Sequence, residues 1–301
     1  MAQYGIPYQG SKSRIAPWVV ERLPAAPVLV DLFAGGCAVT HAALLNGKFG
    51  KVIANDIGEG PEIFSKALNG EYADDDTVWT REDFQERKND DFLHALVYSF
   101  GNNKKDYLWS RDIESVKVPA SGMILARTAK ERYSYYKAFM KALVDYFQQN
   151  GKVPGDDKHQ CNLQNVESLG RLVNIERLER LLGCKKDLDS PNEIFETSRL
   201  DYREVAVPPN AVVYCDPPYR NTNQEGYKHA GSFDCEAFDE WLSQVPFMCV
   251  VSEYACPNGC VEVASKQKQV SMAANGKGAK AEEKLFVQER FVDEYKRRMS
   301  E

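Results

Sequence analysis

The sequence contains no long apolar segment. No apolar run approaches the ~20 residues that a membrane-spanning helix needs, and residues 1–14 lack the apolar core of a secretory signal. We therefore expect a cytoplasmic protein with no membrane partner. A hydrophobic content of 43% and a charged content of 27% are those of an ordinary globular protein.

Clustered metal ligands are missing as well. Among eight cysteines only Cys256 and Cys260 lie close together, and no histidine is near them. We predict no metal site, and we expect reduced cysteines in strands or loops, as in an intracellular protein. The four histidines are scattered, and we expect them to be structural or exposed rather than catalytic: His41, His94, His159 and His229.

The chain also has no overall excess of positive charge. Its 38 basic and 44 acidic residues give a net charge of −6, which argues against a protein that coats nucleic acid over its whole surface. The window from Gly101 to Lys141 differs, because it holds nine basic and four acidic residues. Aromatic residues are interleaved in it: Tyr107, Trp109, Tyr133, Tyr135, Tyr136 and Phe139. Two interpretations stay open, a solvated helical face or a surface that contacts phosphates and stacks on bases.

Alternating apolar strands and helical segments predict an α/β fold. Pro27–Phe33 is a short β-branched run closed by a glycine turn, and the segment from Ala38 to Leu45 has helical texture. Lys51–Asp56 is a second strand that ends on an acid. This order is typical of a nucleotide-binding half of a parallel sheet.

A helical region interrupts this pattern. We predict a catalytic domain of residues 1–75 and 189–301, and a mainly helical insertion over residues 76–188 with its own small core. The apolar stripes expected in that core are Tyr133, Tyr136, Met140, Leu143, Val144 and Phe147, then Leu163, Val166, Leu169, Val173, Leu178, Leu181 and Leu182. Strand texture returns in Glu193–Ser198, Ala211–Asp216, Phe247–Ser252 and Lys284–Glu289. Between Lys266 and Lys284 the composition predicts a mobile loop whose lysines meet nucleic-acid backbone.

The most informative motif is Asp216-Pro217-Pro218-Tyr219, directly after a predicted strand. Ligands of open α/β sheets bind beyond the carboxyl ends of the strands. The two prolines remove two N–H donors, so the turn presents acceptors, the Asp216 carboxylate and the Pro217 carbonyl, beside an aromatic ring. Two acceptors and a ring suit a flat base that carries an exocyclic amino group.

A second motif favours a nucleotide-like ligand. The turn Asp31–Gly36 allows close approach to the backbone, and Asp56 ends the next strand, where an acid can bind ribose hydroxyls. The sequence has neither a G-x-G-x-x-G fingerprint nor a P-loop, which disfavours NAD and ATP.

Together these motifs resemble the Dam-type DNA adenine-N6 methyltransferases, including their phage relatives. The resemblance covers most of the chain. It implies a class I methyltransferase (Rossmann-like) α/β fold, with a mostly parallel sheet and a helical target-recognition insertion. It also implies S-adenosylmethionine as methyl donor, S-adenosylhomocysteine as product, no metal, and double-stranded DNA as partner, with a monomer favoured. The reaction would be site-specific methylation of a flipped-out adenine, as in restriction–modification systems and phages.

The resemblance also assigns residues. It implies a cofactor site, in which Asp201 faces the cofactor's adenine amino group: Tyr8, Lys12, Asp31, Phe33, Ala34, Gly35, Gly36, Asp56, Ile57, Asp201, Tyr202 and Asp216. The catalytic residues would be Asp216, Pro217, Pro218 and Tyr219. In the basic window we name Lys104, Lys105 and Arg132 as DNA contacts. Three more segments look like those of phage-type enzymes: Ser99–Trp109, Val251–Tyr254 and Glu283–Val287.

Two positions depart from the family pattern. Tyr8 replaces a tryptophan of the opening motif, and Cys37 replaces the last glycine of the F-x-G-x-G motif, where we expect weakened cofactor binding. Two alternatives remain open at this point. One is methylation of RNA or of another amino group (guanine N2 or cytosine N4), and the other is a catalytically silent DNA-binding relative.

Overall fold

A computed structural model describes residues 4–72, 74–151, 194–220, 233–269 and 280–300. The chain divides into two compact units. The first, here the sheet unit, comprises Met1–Gly5, Lys12–Glu62 and Cys184–Glu301, and the second, the helical unit, comprises Ile6–Ser11 and Ile63–Gly183. Within the described ranges, no helix has the length and apolar character needed to cross a membrane.

The sheet unit is built on a mostly parallel sheet. Its described strands are β1 (Val28–Asp31), β2 (Lys51–Asn55), β3 (Phe195–Ser198), β4 (Val212–Cys215), β5 (Cys249–Glu253), β6 (Cys260–Gln269) and β7 (Lys280–Gln288). Their spatial order is β3-β2-β1-β4-β5-β7-β6. Strands β1 to β5 pair in parallel, and β7 is antiparallel to both β5 and β6. The predicted α/β fold with a mostly parallel sheet is confirmed.

Helices cover both faces of this sheet. The described helices of the chain are α1 (Ala16–Arg22), α2 (Ala38–Asn46), α3 (Gly60–Leu68), α4 (Arg81–Arg87), α5 (Phe92–Val97), α6 (Arg111–Leu125), α7 (Ala129–Asn150), α8 (Cys235–Gln244) and α9 (Val292–Ser300). Leu29 and Val250 pack with α1 and α2 on one face, whereas Val30 and Val251 pack with α8 on the other. Because successive side chains of a strand alternate between faces, strands buried on both faces are apolar throughout.

Parallel pairing brings the carboxyl ends of four strands to the same edge of the sheet. Asp31 is the last residue of β1, Asp56 follows β2, Asp216 follows β4, and Glu253 ends β5. The edge therefore gathers carboxylates that lie far apart in sequence. This is the edge at which open α/β sheets bind their ligands.

The helical unit has an aromatic core of its own. Trp79, Tyr98, Tyr107 and Trp109 are all buried. His94 stacks on Trp79 and on Tyr98, with ring centroids 5.2 and 6.4 Å apart. These four buried aromatic residues lie before α4 and after α5.

His94 is a structural cation in this core. Its Nε2 lies 2.9 Å from Asp75 and its Nδ1 lies 2.8 Å from Asp91. Burial disfavours the charged imidazole, but the two carboxylates outweigh burial and raise the pKa of His94 to about 9. The expectation of a structural histidine is confirmed here and for His41, whose Nδ1 accepts the Gly5 N–H at 3.0 Å. His159 and His229 lie outside the described residues.

The expected core position of the α7 stripe is wrong. Its members Tyr133, Tyr136, Met140, Val144 and Phe147 are exposed. The helix has a second apolar face, and it is this face that packs, through Tyr135 against Gly122 of α6 and through the buried Tyr146. The second predicted stripe, Leu163 to Leu182, lies outside the described residues.

Two other expectations need correction. Tyr107 and Trp109 are core residues, so they are unavailable for stacking on bases. The loop predicted between Lys266 and Lys284 is wrong at both ends, because β6 continues to Gln269 and β7 begins at Lys280. Residues 270–279 lie outside the described residues.

Candidate active site

The glycine turn after β1 is held by backbone bonds and by one carboxylate. The Ala34 N–H donates to the Asn55 carbonyl at 2.8 Å, and the Gly35 N–H donates to Asp56 Oδ2, also at 2.8 Å. Gly35 has a φ of +49°, and Cys37, the first residue past the turn, has a φ of +59°. Cys37 therefore adopts a left-handed conformation that favours glycine, which is the residue expected there.

Asp31 is a buried carboxyl group with an unused oxygen. Its Oδ2 accepts hydrogen bonds from the backbone and the hydroxyl of Thr40, at 3.1 and 2.7 Å. Its Oδ1 is buried and has no hydrogen-bond partner among the described residues. Burial raises the pKa of Asp31 to about 7, although the Thr40 bonds lower it, and the charge of Asp216 adds to the rise. A buried acceptor of this kind suits a cationic group of a ligand.

Asp56 connects the glycine turn to the start of α3. Besides Gly35, it accepts the Gly58 N–H on Oδ1 at 2.7 Å. Ile57, the next residue, is 53% exposed. The pair presents an acid and an apolar surface together, as a nucleoside requires.

A compact charged cluster lies at the carboxyl end of β4. Lys12 Nζ is 2.8 Å from Asp216 Oδ1 and 3.6 Å from Glu283 Oε1. The same ammonium lies 4.4 Å from the centroid of the Tyr219 ring, and the Tyr219 hydroxyl donates to Glu283. All four side chains are buried or nearly so. The structure therefore brings together Lys12, Asp216 and Tyr219, and adds Glu283.

The cluster has one ammonium between two carboxylates. Burial raises the pKa of Asp216, the positive charge of Lys12 opposes this rise, and the negative charge of Glu283 adds to it. The pKa of Tyr219 is also well above its usual range, first because of burial and then because of the charges of Asp216 and Glu283. Tyr219 is therefore a neutral phenol that donates its proton in a hydrogen bond.

Arg220, the second residue after the two prolines, fixes the end of the turn after β4. The Arg220 N–H donates to Glu253 Oε2 at 3.2 Å, and the Arg220 guanidinium pairs with the buried Asp239 of α8. Glu253 also accepts the Tyr254 N–H at 2.8 Å. These bonds tie the end of the turn after β4 to the end of β5 and to α8.

Aromatic side chains support the opposite flank of the glycine turn. Phe33 lies 5.3 Å from Tyr202 and 5.7 Å from Phe238, measured between ring centroids. The buried Asn55 holds the segment that leads to Asp201, because its side chain bonds both the N–H and the carbonyl of Leu200. The Asp201 carboxylate pairs with Arg203 at 2.8 Å, which lowers its pKa.

The remaining expected residues belong to the helical unit. Tyr8 lies in its first segment, and its carbonyl accepts the Ser11 N–H at 3.3 Å. Lys104 places its ammonium 3.4 Å from the Phe92 ring centroid, Lys105 is exposed, and Arg132 donates to the Ala126 carbonyl at 3.0 Å. Of the three DNA-contact candidates, Lys105 and Arg132 are thus exposed and Lys104 is half-buried.

Sequence reasoning missed Glu283 and Glu253. It also missed Gly60, whose backbone packs closely against that of Gly35 in the glycine turn. Both glutamates occur in segments that resemble phage-type enzymes, Val251–Tyr254 and Glu283–Val287, but no role was assigned to them. The antiparallel pairing of β5 with β7, which sets Glu253 opposite Lys284, brings both segments to the site. Among the described residues, no group of three acidic, histidine or cysteine side chains could hold a metal ion.

Comparisons with known proteins identify the family. The family model for D12 class N6 adenine-specific DNA methyltransferases matches residues 8–239. Among solved structures 26 chains match, including that of a proposed methylase from Haemophilus influenzae, which is 11% identical with a TM-score of 0.31 over 92% of this chain and 87% of that chain. No curated protein matches the sequence significantly. Since the family match spans most of the chain, the protein belongs to the D12 class N6 adenine-specific DNA methyltransferases, enzymes that methylate adenine in DNA.

Proposed function

We propose that the protein transfers a methyl group from S-adenosylmethionine to N6 of an adenine flipped out of double-stranded DNA, and that Asp216 and Pro217 hold that nitrogen. The observation that carries this proposal is the Asp216 carboxylate at the carboxyl end of β4, 2.8 Å from a buried ammonium and beside an aromatic ring. When bound, S-adenosylmethionine supplies a methyl group already activated by its sulfonium.

The protein's contribution is alignment and hydrogen bonding. Adenine N6 is a poor nucleophile because its lone pair is delocalised into the ring. The Asp216 carboxylate and the Pro217 carbonyl each accept one N6 hydrogen, which draws the nitrogen toward tetrahedral geometry and points its lone pair at the methyl group. A strong base is unnecessary, because the methylated nitrogen is acidic and loses its proton afterwards.

Aromatic rings offset the cost of flipping the base. Extrusion from the duplex costs a few kcal/mol, and stacking on an aromatic side chain returns about 1–3 kcal/mol. Tyr219 is fixed by Lys12 and Glu283, and the more exposed ring of Tyr254 stands edge-on to it with centroids 4.6 Å apart. The two rings together suit one wall of a base pocket.

The methyl donor fits the edge formed by β1 and β2. The free buried Oδ1 of Asp31 suits the donor's amino group, and the glycine turn allows its backbone to approach. Asp56 and Ile57 suit the ribose and the adenine ring. Phe33 and Tyr202 pack against each other beside this turn, which supports our assigning them to the donor site.

The function is tested by expressing the protein in a host that lacks DNA methylation and sequencing the genome on single molecules. We expect N6-methyladenine confined to one short sequence context. Methylation of cytosine N4, or a genome without modified bases under conditions where the protein is folded, would contradict the proposal. An empty vector gives the background.

We further propose that residues 76–188 form the target-recognition domain, with Lys104, Lys105 and Arg132 among its DNA contacts. The basic excess of its window from Gly101 to Lys141, within an acidic protein, supports the assignment. Replacing all three by glutamine should lower DNA affinity and reduce the slope of log affinity against log salt. Each phosphate contact contributes about −0.9 to that slope, so the slope should become shallower by roughly one to three.

A matched variant separates local contact from net charge. Arg22, Lys51 and Lys296 belong to the sheet unit, and Lys51 begins β2, at the edge opposite the carboxyl ends. Their joint replacement by glutamine removes the same charge and should leave the salt slope unchanged. If both triple variants behave alike, or if neither alters affinity, the three named residues do not contact DNA.

A further inference from the structure

Glu283 is a fully buried carboxylate that neither the sequence motifs nor the proposed chemistry employs. Its side chain is 0% exposed and lies 3.6 Å from Lys12 Nζ. It accepts the hydroxyl of Tyr219, whose ring lies under the same ammonium. A buried carboxylate is costly unless it is paired and hydrogen-bonded, and Glu283 has both kinds of partner within the active site.

The position of Glu283 couples two functional groups. Lys12 lies between Glu283 and Asp216, so its single positive charge is shared by two carboxylates. The Tyr219 hydroxyl is held by Glu283, which fixes the plane of a ring that would otherwise turn about its side-chain bonds. A change at Glu283 therefore reaches Asp216 through charge and reaches Tyr219 through a hydrogen bond.

We propose that Glu283 is a positioning residue that sets the ionisation of Asp216 and the orientation of Tyr219. It acts through Lys12 and the tyrosine hydroxyl, without touching the substrate. The inference rests on the proposed role of Asp216 as the acceptor of the N6 hydrogens.

Other charged and titratable groups also face Asp216, and they limit how far the loss of Glu283 can change its pKa. Every packed element contributes one or two charged or titratable side chains: Lys12 before α1, Asp31 of β1, Tyr214 of β4, Tyr219 after β4, Glu253 at the end of β5, and Glu283 of β7. Glu283 is the largest contributor of negative charge to the raised pKa of Asp216. Without the charge of Glu283, the Lys12 ammonium would interact with Asp216 alone, so Asp216 should ionise at lower pH.

Two substitutions should move the pH profile in opposite directions. Glu283→Gln removes a negative charge beside Asp216, so the acid limb of the single-turnover rate should shift down by roughly one pH unit. Tyr219→Phe keeps the ring and removes the hydroxyl, whose hydrogen bonding to Asp216 lowers the pKa of that carboxyl group, so the acid limb should shift up. In both variants the rate on the plateau should fall, because the ring loses its fixed orientation.

The protein without ligands gives an independent measurement. Since the pKa of Asp216 is raised by folding, its contribution to the free energy of unfolding should decrease as the pH rises above the ordinary value of 3.8 for this carboxyl group. Glu283→Gln should make this decrease smaller. The matched control is Glu282→Gln, on the exposed face of the same strand, which should change neither the acid limb nor the pH dependence of unfolding.

The outcomes separate this inference from the proposed function. If Glu283→Gln keeps the wild-type rate and acid limb, or lowers the rate without moving the limb, Glu283 has no role in setting Asp216. If Glu283→Gln does not fold, the acid limb of Tyr219→Phe becomes the test. The absence of an upward shift of that limb overturns the proposal. If Asp216→Asn transfers methyl groups at the wild-type rate, it is the role of Asp216 that fails, whatever Glu283 does.

Discussion

Asp216→Asn is expected to lower the methyl transfer rate at least about a hundredfold while S-adenosylmethionine affinity stays within about tenfold of wild type. The loss falls on the transition state, because the amide offers N–H donors where two acceptors must hold the N6 hydrogens. Single-turnover kinetics with saturating donor measures the rate, and calorimetry measures donor affinity. Asp293→Asn, in the exposed first turn of α9, is the control and should match wild type.

The variant should fold at least as well as the wild type. Burial raises the pKa of Asp216, so its ionised form costs folding free energy at neutral pH, and the neutral amide avoids this cost. Lys12 keeps Glu283 as a partner at 3.6 Å. A midpoint of thermal unfolding at or above that of the wild type, combined with lost transfer, assigns the defect to chemistry. Transfer at near wild-type rates would contradict the proposed mechanism.

Much of this site could be predicted from the sequence because its parts are local. The apolar run before the glycine turn, and the run before Asp216, are strands buried on both faces, which have a distinct composition. Parallel strands bring their carboxyl ends to one edge, so Asp31, Asp56 and Asp216 had to meet once the fold class was right. Lys12 was assigned by resemblance, and its pairing with Asp216 follows from no local pattern.

The missed features depend on pairing between distant segments. The edge strand β6 ends in Lys266–Gln269, a polar run typical of a loop, and it is a strand only because β7 pairs with it. Glu283 is buried because the register of β7 sets that segment against β5. Periodicity likewise predicted an apolar face for α7. The helix has two apolar faces, and its contact with α6 determines which of them is buried.

Gly60, the first residue of α3, lies outside every motif of the sequence. Gly60→Ala is expected to abolish cofactor binding and to destabilise the sheet unit by more than the ~1–3 kcal/mol of ordinary overpacking. A Cβ at this position would lie 2.8 Å from the Gly35 carbonyl carbon and still nearer to its oxygen. Both atoms are backbone, so no side chain can rotate to make room.

Relief would require the glycine turn or the start of α3 to move. The turn is held by the Gly35 N–H bond to Asp56 and by the Ala34 bond to Asn55, each 2.8 Å long. Any shift therefore disturbs the same acid and the same turn that suit the methyl donor. Calorimetric titration with S-adenosylmethionine should detect no binding, and the midpoint of thermal unfolding should fall.

Gly50→Ala provides the matched control for this strain. Its nearest neighbour would be the Pro27 carbonyl oxygen at 3.2 Å, a tight but tolerable contact just before β2, at the edge opposite the ligand site. We expect it to leave donor affinity unchanged and to alter stability by less than about 1 kcal/mol. Wild-type affinity in Gly60→Ala would mean that the glycine turn can move without loss, and that the close approach of α3 does not shape the donor site. Equal loss in both variants would instead assign the effect to alanine in a crowded backbone, wherever it lies.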